Sequence, residues 1–181
     1  MGARPLFPGF RSTFTRGFIP VAQGAPQASN RMSHSYTNLL YHMVFATKGR
    51  EPWLAKPLRS ALFAHLGDSV RELGGIALIV NGMDEHVHIL AKLRPDRSLS
   101  DVMRELKARS SGWIHRKHSE LAAFAWQTGY GAFTVSQSQA KVVQAYIENQ
   151  EAHHKTLTFT DEMRQLLRRN GLDFDEADLW E

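Results

Sequence analysis

The chain has 181 residues, of which 43% are hydrophobic, and its formal net charge is +4. That size and composition predict one globular domain with a substantial core. The absence of cysteine excludes disulfides and thiolate metal sites. No apolar run reaches the roughly eighteen residues that a membrane helix needs, so we expect a soluble, cytoplasmic protein with no membrane partner.

The first 32 residues differ in composition from the remainder. They contain Arg4, Arg11, Arg16 and Arg31 but no acidic residue, and Pro, Gly and Ser are frequent. Because a periodic apolar pattern is missing, we predict a disordered basic extension. Three interpretations compete: an arm that binds nucleic acid, a targeting peptide, and translated sequence upstream of a true start at Met32. We favour the upstream interpretation, because organised sequence begins directly after Met32.

Residues 33–159 show a regular succession of strand and helix patterns. Strands are predicted where apolar residues alternate, and helices where apolar residues recur every three or four positions. The predicted elements are a strand at 36–47, a helix at 58–73, strands at 76–80 and 85–93, a helix from 98, a strand at 132–136 and a helix through 140–150. This βαββαβ order predicts an α+β, ferredoxin-like antiparallel sheet with helices on one face, followed by an additional helix.

The helix starts and the chain end add detail to this plan. Ser98 stands three residues before Asp101, and Ser136 three residues before Gln139, so each serine is predicted to cap a helix. Residues 160–181 are predicted to form a third segment, with a short helix at 161–169 and an acidic tail.

The most informative stretch begins with Asn81-Gly82, a pair typical of a hairpin turn, and continues into an alternating strand. On that strand His86 and His88 point to the same face, about 7 Å apart, while Val87 points into the core. Two imidazoles side by side are half of a metal site. Taken alone, such a pair is more often a chance feature of a solvated face, so a third ligand is needed.

A third ligand is available in the helix at 140–150. Tyr146 and Gln150 are four residues apart and therefore share a helix face. Gln150 offers a carbonyl oxygen to a cation, and a phenol beside a cation is a plausible nucleophile towards a phosphodiester. The alternative is a helix with a half-buried tyrosine and a solvated glutamine.

Together these residues resemble the IS200/IS605-type transposases, which are single-tyrosine (Y1) members of the HUH nuclease superfamily. That family combines His-hydrophobic-His, here residues 86–88, with a helix carrying Tyr-x-x-x-Gln, here residues 146–150. The strand at 42–48 and the segment at 126–133 also fit. The resemblance extends over about residues 33–159, and we interpret this span as an IS200-like transposase domain.

The resemblance implies the ferredoxin-like fold, with the tyrosine on the additional C-terminal helix. It implies an enzyme that cleaves and rejoins single-stranded DNA, at element ends or hairpins, through a 5′-phosphotyrosine intermediate. Tyr146 would be the nucleophile, and His86, His88 and Gln150 would hold a divalent cation, Mg²⁺ or Mn²⁺. Members of the family work as homodimers in which the tyrosine helix of one subunit can serve the histidines of the other. We therefore expect a homodimer with shared active sites.

Other residues near these motifs could contribute to the site. His153 and His154 follow Gln150 by about one helical turn and could replace or supplement it as a ligand. Glu85 could orient a histidine ring, although neighbouring strand residues point to opposite faces. His42 is interpreted as structural, and so is His34.

A group of basic residues is predicted to bind DNA. Residues 92–117 contain eight basic and three acidic side chains, which gives a local net charge of +5. A phosphate backbone is the natural partner of such a surface, while a solvated helix face is the simpler alternative. The candidate DNA contacts, called the basic patch below, are Lys92, Arg94, Arg97, Arg104, Lys107 and Arg109.

Two other functions remain open at this stage. One is a metal-dependent phosphodiesterase that uses water, with Tyr146 in a structural role. The other is a non-catalytic DNA-binding protein descended from a transposase, although both histidines, Tyr146 and Gln150 are in place. A covalent protein–DNA adduct would distinguish the transposase from both.

Overall fold

The structure is a computed structural model that describes residues 35–176. The predicted extension at 1–32 and the end of the acidic tail lie outside the described residues. The strands are β1 (Leu39–Ala46), β2 (Ile76–Gly82), β3 (His86–Leu93) and β4 (Gly131–Val135), and the helices are α1 (Lys56–Glu72), α2 (Leu99–Lys117), α3 (Ala140–Glu148), α4 (Gln150–His153) and α5 (Phe159–Arg169). No helix within residues 35–176 is long and apolar enough to cross a membrane.

The four strands form one antiparallel sheet in the order β2-β3-β1-β4. The two strands at the centre, β1 and β3, are each hydrogen-bonded on both sides. Because the chain order is βαββαβ, this strand order is that of a ferredoxin-like fold, and the predicted fold is confirmed.

One face of the sheet carries the main hydrophobic core. Met43 and Phe45 of β1 and Val87 and Ile89 of β3 are buried there against α1 and α2. Alternation along a strand requires the neighbouring residues to point to the opposite face. The histidines at positions 42, 86 and 88 therefore lie across the sheet from the main core.

The opposite face is covered by the helices that follow β4. From α5, Phe159, Met163 and Leu166 pack against Val44 of β1 and Phe133 of β4 in a second apolar cluster. α3 lies over β2 and β3. The histidine face of the sheet is therefore closed by α3, α4 and α5, and the short last helix is part of the fold.

The hairpin between β2 and β3 differs from the prediction in its turn. β2 continues through Asn81 and Gly82, and the turn is made by the residues at 83–85. A Cβ atom on Gly82 would lie 2.1 Å from the carbonyl oxygen of His86, so glycine is required by close strand approach. The expected Asn-Gly turn was wrong, because the pair is used inside the strand.

The predicted helix starts were right for one of two cases. Ser98 caps α2 by accepting a hydrogen bond from the Asp101 amide at 3.1 Å. By contrast, α3 begins after Gln139, and within the described residues no side-chain hydrogen bond caps it. The hydroxyl of Ser136 lies instead 3.0 Å from the hydroxyl of Ser138. The predicted cap by Ser136 was therefore wrong.

The buried residue that seats α3 gives a first prediction. Ile147 is fully buried one residue after Tyr146, whereas Val142 on the same helix is 62% exposed. Ile147→Ala is expected to lower the free energy of unfolding by about 2–5 kcal/mol, because it leaves a cavity in a packed site. Val142→Ala is the matched control and should change it by less than about 0.5 kcal/mol. Urea denaturation of both variants measures the difference, and equal effects would contradict this placement of α3.

Candidate metal and tyrosine site

The histidines on β1 and β3 form the floor of the site. His86 and His88 are fully buried, and His42 is 4% exposed. Nε2 of His42 lies 2.9 Å from Nδ1 of His88, so one of these nitrogens donates to the other. When His42 accepts the proton of Nδ1, the lone pair of His88 is on Nε2 and faces α5. His42 therefore contacts His88 on the histidine face of the sheet and does not pack in the main core.

Tyr146 and Gln150 reach the histidines from two separate helices. The helix at 140–150 was expected to be continuous, but it is interrupted at Asn149, between α3 and α4. The Asn81 side chain on β2 donates to the carbonyl oxygen of Ile147 at 2.8 Å and so ties the end of α3 to the sheet. After the interruption Gln150 is buried, and its Oε1 lies 3.2 Å from Nε2 of His86.

The centre of the site is occupied by Glu162 of α5, which is 1% exposed. Its Oε1 accepts hydrogen bonds from the Tyr146 hydroxyl and, at 3.0 Å, from Nε2 of Gln150. Its Oε2 lies 3.0 Å from Nε2 of His154 and 3.4 Å from Nε2 of His88. One carboxylate therefore connects the tyrosine, the glutamine and the histidines.

Burial and the carboxylate together set the charge states. Burial is the largest cause that lowers the pKa of His42 to about 3 and that of His88 to about 4, so both rings are neutral at pH 7. Burial alone would raise the pKa of Glu162, but its contacts with His154, His88 and the Tyr146 hydroxyl outweigh burial and keep the pKa below its usual range. Burial and the Glu162 charge raise the pKa of Tyr146 well above its usual value.

The donor atoms of this cluster suit a divalent cation. His86, His154 and Glu162 each offer one ligand atom, and these atoms lie within 4.8 Å of one another. Nε2 of His88 and Nδ1 of His86 are buried and have no hydrogen-bond partner among residues 35–176. A buried nitrogen without a partner is costly. Imidazole nitrogens beside a carboxylate oxygen are therefore a donor set that fits a bound metal ion well.

The predicted residues fall into two groups in space. His86, His88, Tyr146 and Gln150 converge within a single chain, on the covered face of the sheet. Most of the basic patch is on or beside α2, which packs on the other face.

Several members of the basic patch have acidic or carbonyl partners. Arg94 pairs with Asp96 at 2.6 Å, Arg104 with Asp101 at 2.7 Å, and Arg109 with Glu72 and Glu105. Lys107 donates to the carbonyl oxygens of Gln127 and Thr128, and burial lowers its pKa to about 8. Lys92 is half-buried and Arg97 exposed. The role of this patch in binding DNA stays a prediction.

Sequence reasoning missed Glu162, and it interpreted His42, which lies against His88, as structural. Glu162 stands twelve residues after Gln150, within what looks like an ordinary amphipathic helix, and no local pattern distinguishes it. His154 was considered as a ligand, and its position four residues after Gln150 was the useful indication. His34 lies outside the described residues.

The antiparallel sheet, the histidine pair on an inner strand and the tyrosine on a covering helix form the arrangement that the resemblance to transposases implied. The family described as "Transposase IS200 like" matches residues 35–150. The chain therefore belongs to the IS200-like transposase family. The matched span includes Tyr146 and ends at Gln150, so His154 and Glu162 lie beyond it.

Individual relatives agree with the family. The ISDra2 transposase TnpA of Deinococcus radiodurans is 26% identical over 117 residues, covering 62% of this chain and 84% of that protein. The transposase for insertion sequence element IS200 of Salmonella typhimurium is 29% identical over 124 residues, covering 66% and 81%.

Solved structures show the same fold. The crystal structure of a candidate transposase from Deinococcus radiodurans R1 has a TM-score of 0.55 at 26% identity, covering 67% of this chain and 98% of that one. The structure of a REP-associated tyrosine transposase bound to a REP hairpin has a TM-score of 0.52 at 15% identity, covering 72% and 76%. The second likeness concerns the fold alone.

Proposed function

We propose that this transposase cleaves and rejoins single-stranded DNA through a covalent bond between Tyr146 and a 5′ phosphate, with a divalent cation at His86, His88 and Gln150. The observation that carries the proposal is the position of the Tyr146 hydroxyl, which shares the Glu162 carboxylate with Gln150 and the histidines. A nucleophile and a set of metal ligands so close together suit phosphoryl transfer.

The chemistry assigns a task to each side chain. The Tyr146 oxygen attacks the scissile phosphorus, an O–P bond to tyrosine forms, and the bond from phosphorus to the 3′ oxygen breaks. Glu162 accepts the hydrogen bond of the phenol and holds it in position. The phenol proton is lost to water as the O–P bond forms, and the departing 3′ oxygen takes one proton from water, so no net proton is released. A divalent cation held by His86, His88 and Gln150 would supply Lewis-acid polarisation of the phosphate. The step exchanges one phosphate ester bond for another, so the energy of the bond is retained in the link to tyrosine. A second 3′-OH can therefore reverse the step and join strands without ATP.

Access to the site requires movement of α5. The histidine pair and Gln150 are fully buried, and Glu162 is 1% exposed, so a phosphate cannot approach them while α5 is seated. A cleft of about 920 Å³ opens beside His154, at the start of α5, with Arg50 and Lys155 among its lining residues. We place the DNA strand in this cleft, where the two basic side chains can meet phosphates.

A trapping experiment tests the proposed function. The wild-type chain is incubated with Mn²⁺ and labelled single-stranded oligonucleotides that carry the ends of its own element, then denatured and resolved on a gel. We expect a labelled protein band that survives denaturation, that disappears with EDTA and that does not form with the duplex. Cleavage without an adduct would indicate the water-using phosphodiesterase, and binding without cleavage the non-catalytic protein. Either result would overturn the proposal.

The assembly has a separate test. We propose a homodimer, as the family resemblance implies. The contact of Tyr146 with Glu162 and the histidine cluster within one chain supports a site that each chain can complete alone. A mixture of Tyr146→Phe and His86→Ala chains is therefore expected to form no more adduct than either variant by itself. Recovery of adduct in the mixture would show that the sites are shared between subunits.

A further inference from the structure

Glu162 is a buried carboxylate without a permanently charged partner. Among residues 35–176 its ion-pair contacts are all to histidines, and neither Lys nor Arg lies within salt-bridge distance of it. An isolated buried carboxylate is very costly, so a positive charge must be close to it. Glu162 also lies twelve residues beyond the end of the span that matches the family.

The ring nitrogens of His154 face only hydrogen-bond acceptors. Its Nδ1 lies 2.9 Å from the carbonyl oxygen of Leu157, which can only accept, so Nδ1 carries a proton. In the neutral ring the lone pair is then on Nε2. That nitrogen lies 3.0 Å from Oε1 of Gln150 and 3.0 Å from Oε2 of Glu162, both of which are also acceptors. Three lone pairs directed at one point need a proton or a metal ion between them.

Four contacts among the five donor atoms have separations of 3.0–3.7 Å, close to those expected around one cation. Ligands at about 2.1 Å from a metal ion lie roughly 3.0–3.4 Å from their neighbours in octahedral and tetrahedral sites. Oε2 of Glu162 lies 3.4 Å from Nε2 of His88 and 3.7 Å from Nε2 of His86. Oε1 of Gln150 lies 3.2 Å from Nε2 of His86 and 3.0 Å from Nε2 of His154.

We propose that Glu162 and His154 are ligands of the divalent cation, together with His86, His88 and Gln150. This assignment rests on the proposed function, because it concerns the same cation. Three imidazoles, one amide oxygen and one carboxylate oxygen favour Mn²⁺, Co²⁺ or Zn²⁺ over Mg²⁺. The other oxygen of Glu162 holds the Tyr146 hydroxyl, so the carboxylate couples the cation to the nucleophile. The cation site is then complete without DNA.

Cation binding in the absence of DNA tests the assignment. Isothermal titration of the purified chain with MnCl₂ is compared for wild type, Glu162→Gln and Asp173→Asn. Asp173 is an exposed acid near the chain end, so its variant loses the same charge away from the site. We expect Glu162→Gln to weaken Mn²⁺ binding at least about tenfold, and Asp173→Asn to leave it within twofold. Unchanged binding by a Glu162→Gln chain with a native circular dichroism spectrum would overturn the role of Glu162.

A measurement on the wild-type chain needs no variant that could misfold. X-ray absorption of the Co²⁺-loaded protein counts coordinated imidazoles from their scattering pattern, and three are expected. A count of two would overturn the proposal that all three histidines are ligands of one cation. These outcomes are separate from the proposed function, which fails only if the adduct does not form or forms equally in EDTA.

Discussion

Tyr146→Phe is expected to abolish formation of the covalent adduct and to reduce cleavage of single-stranded DNA by at least about 10⁴-fold. The phenol oxygen is the atom that bonds to phosphorus, and the benzyl ring of phenylalanine has no atom that can replace it. The adduct band in the oligonucleotide assay measures the loss directly. Mn²⁺ affinity should stay close to the wild-type value, since the ligand atoms remain.

The matched control for this variant is Tyr130→Phe. Tyr130 is 42% exposed and lies on the loop before β4, so it loses the same hydroxyl away from the histidines. It should form adduct at the wild-type rate. The Tyr146 variant also loses a part-buried hydrogen bond to the Glu162 carboxylate, which should lower the free energy of unfolding by about 1.5–3 kcal/mol. Cleavage that persists in Tyr146→Phe would assign the attack to water.

His88→Ala is expected to weaken Mn²⁺ binding by at least about 100-fold and to remove adduct formation with it. Nε2 of His88 is fully buried and faces the Glu162 carboxylate, and solvent cannot supply a substitute ligand while α5 is seated. Residues that only hydrogen-bond to a metal ligand typically change metal affinity 10–100-fold when they are mutated. The loss of a ligand itself should have a larger effect. Isothermal titration with MnCl₂ measures the affinity.

His65→Ala is the control for the loss of an imidazole. His65 lies on α1, on the opposite side of the sheet, where its ring stacks on Trp113 at a centroid distance of 5.2 Å. This variant should bind Mn²⁺ as the wild type does. If His88→Ala retains a native spectrum and Mn²⁺ affinity within threefold of wild type, His88 is not a ligand.

Local spacing in the sequence predicted the histidine pair and the pair of Tyr146 and Gln150, but not how the two pairs come into contact. Strand alternation placed His86 and His88 on one face, and that is where they are. Helical spacing linked Tyr146 with Gln150, yet Asn149 interrupts the helix between them. Gln150 meets His86 across 64 residues of chain. The hydrogen bonds of Asn81 to the end of α3 help position α3 on the sheet, and they depend on a long-range contact that no local pattern contains.

The sequence by itself determined the order of strands and helices, the histidine pair and the tyrosine, because periodicity and motif spacing act over a few residues. Only the tertiary structure decided that Glu162 and His154 enter the same site and that most of the basic patch is on the other side of the sheet. The physical reason is that tertiary packing decides which face of the sheet each helix covers. Apolar residues of α5 bury themselves on the histidine side of the sheet, and this packing carries Glu162 to the histidines and closes them from solvent.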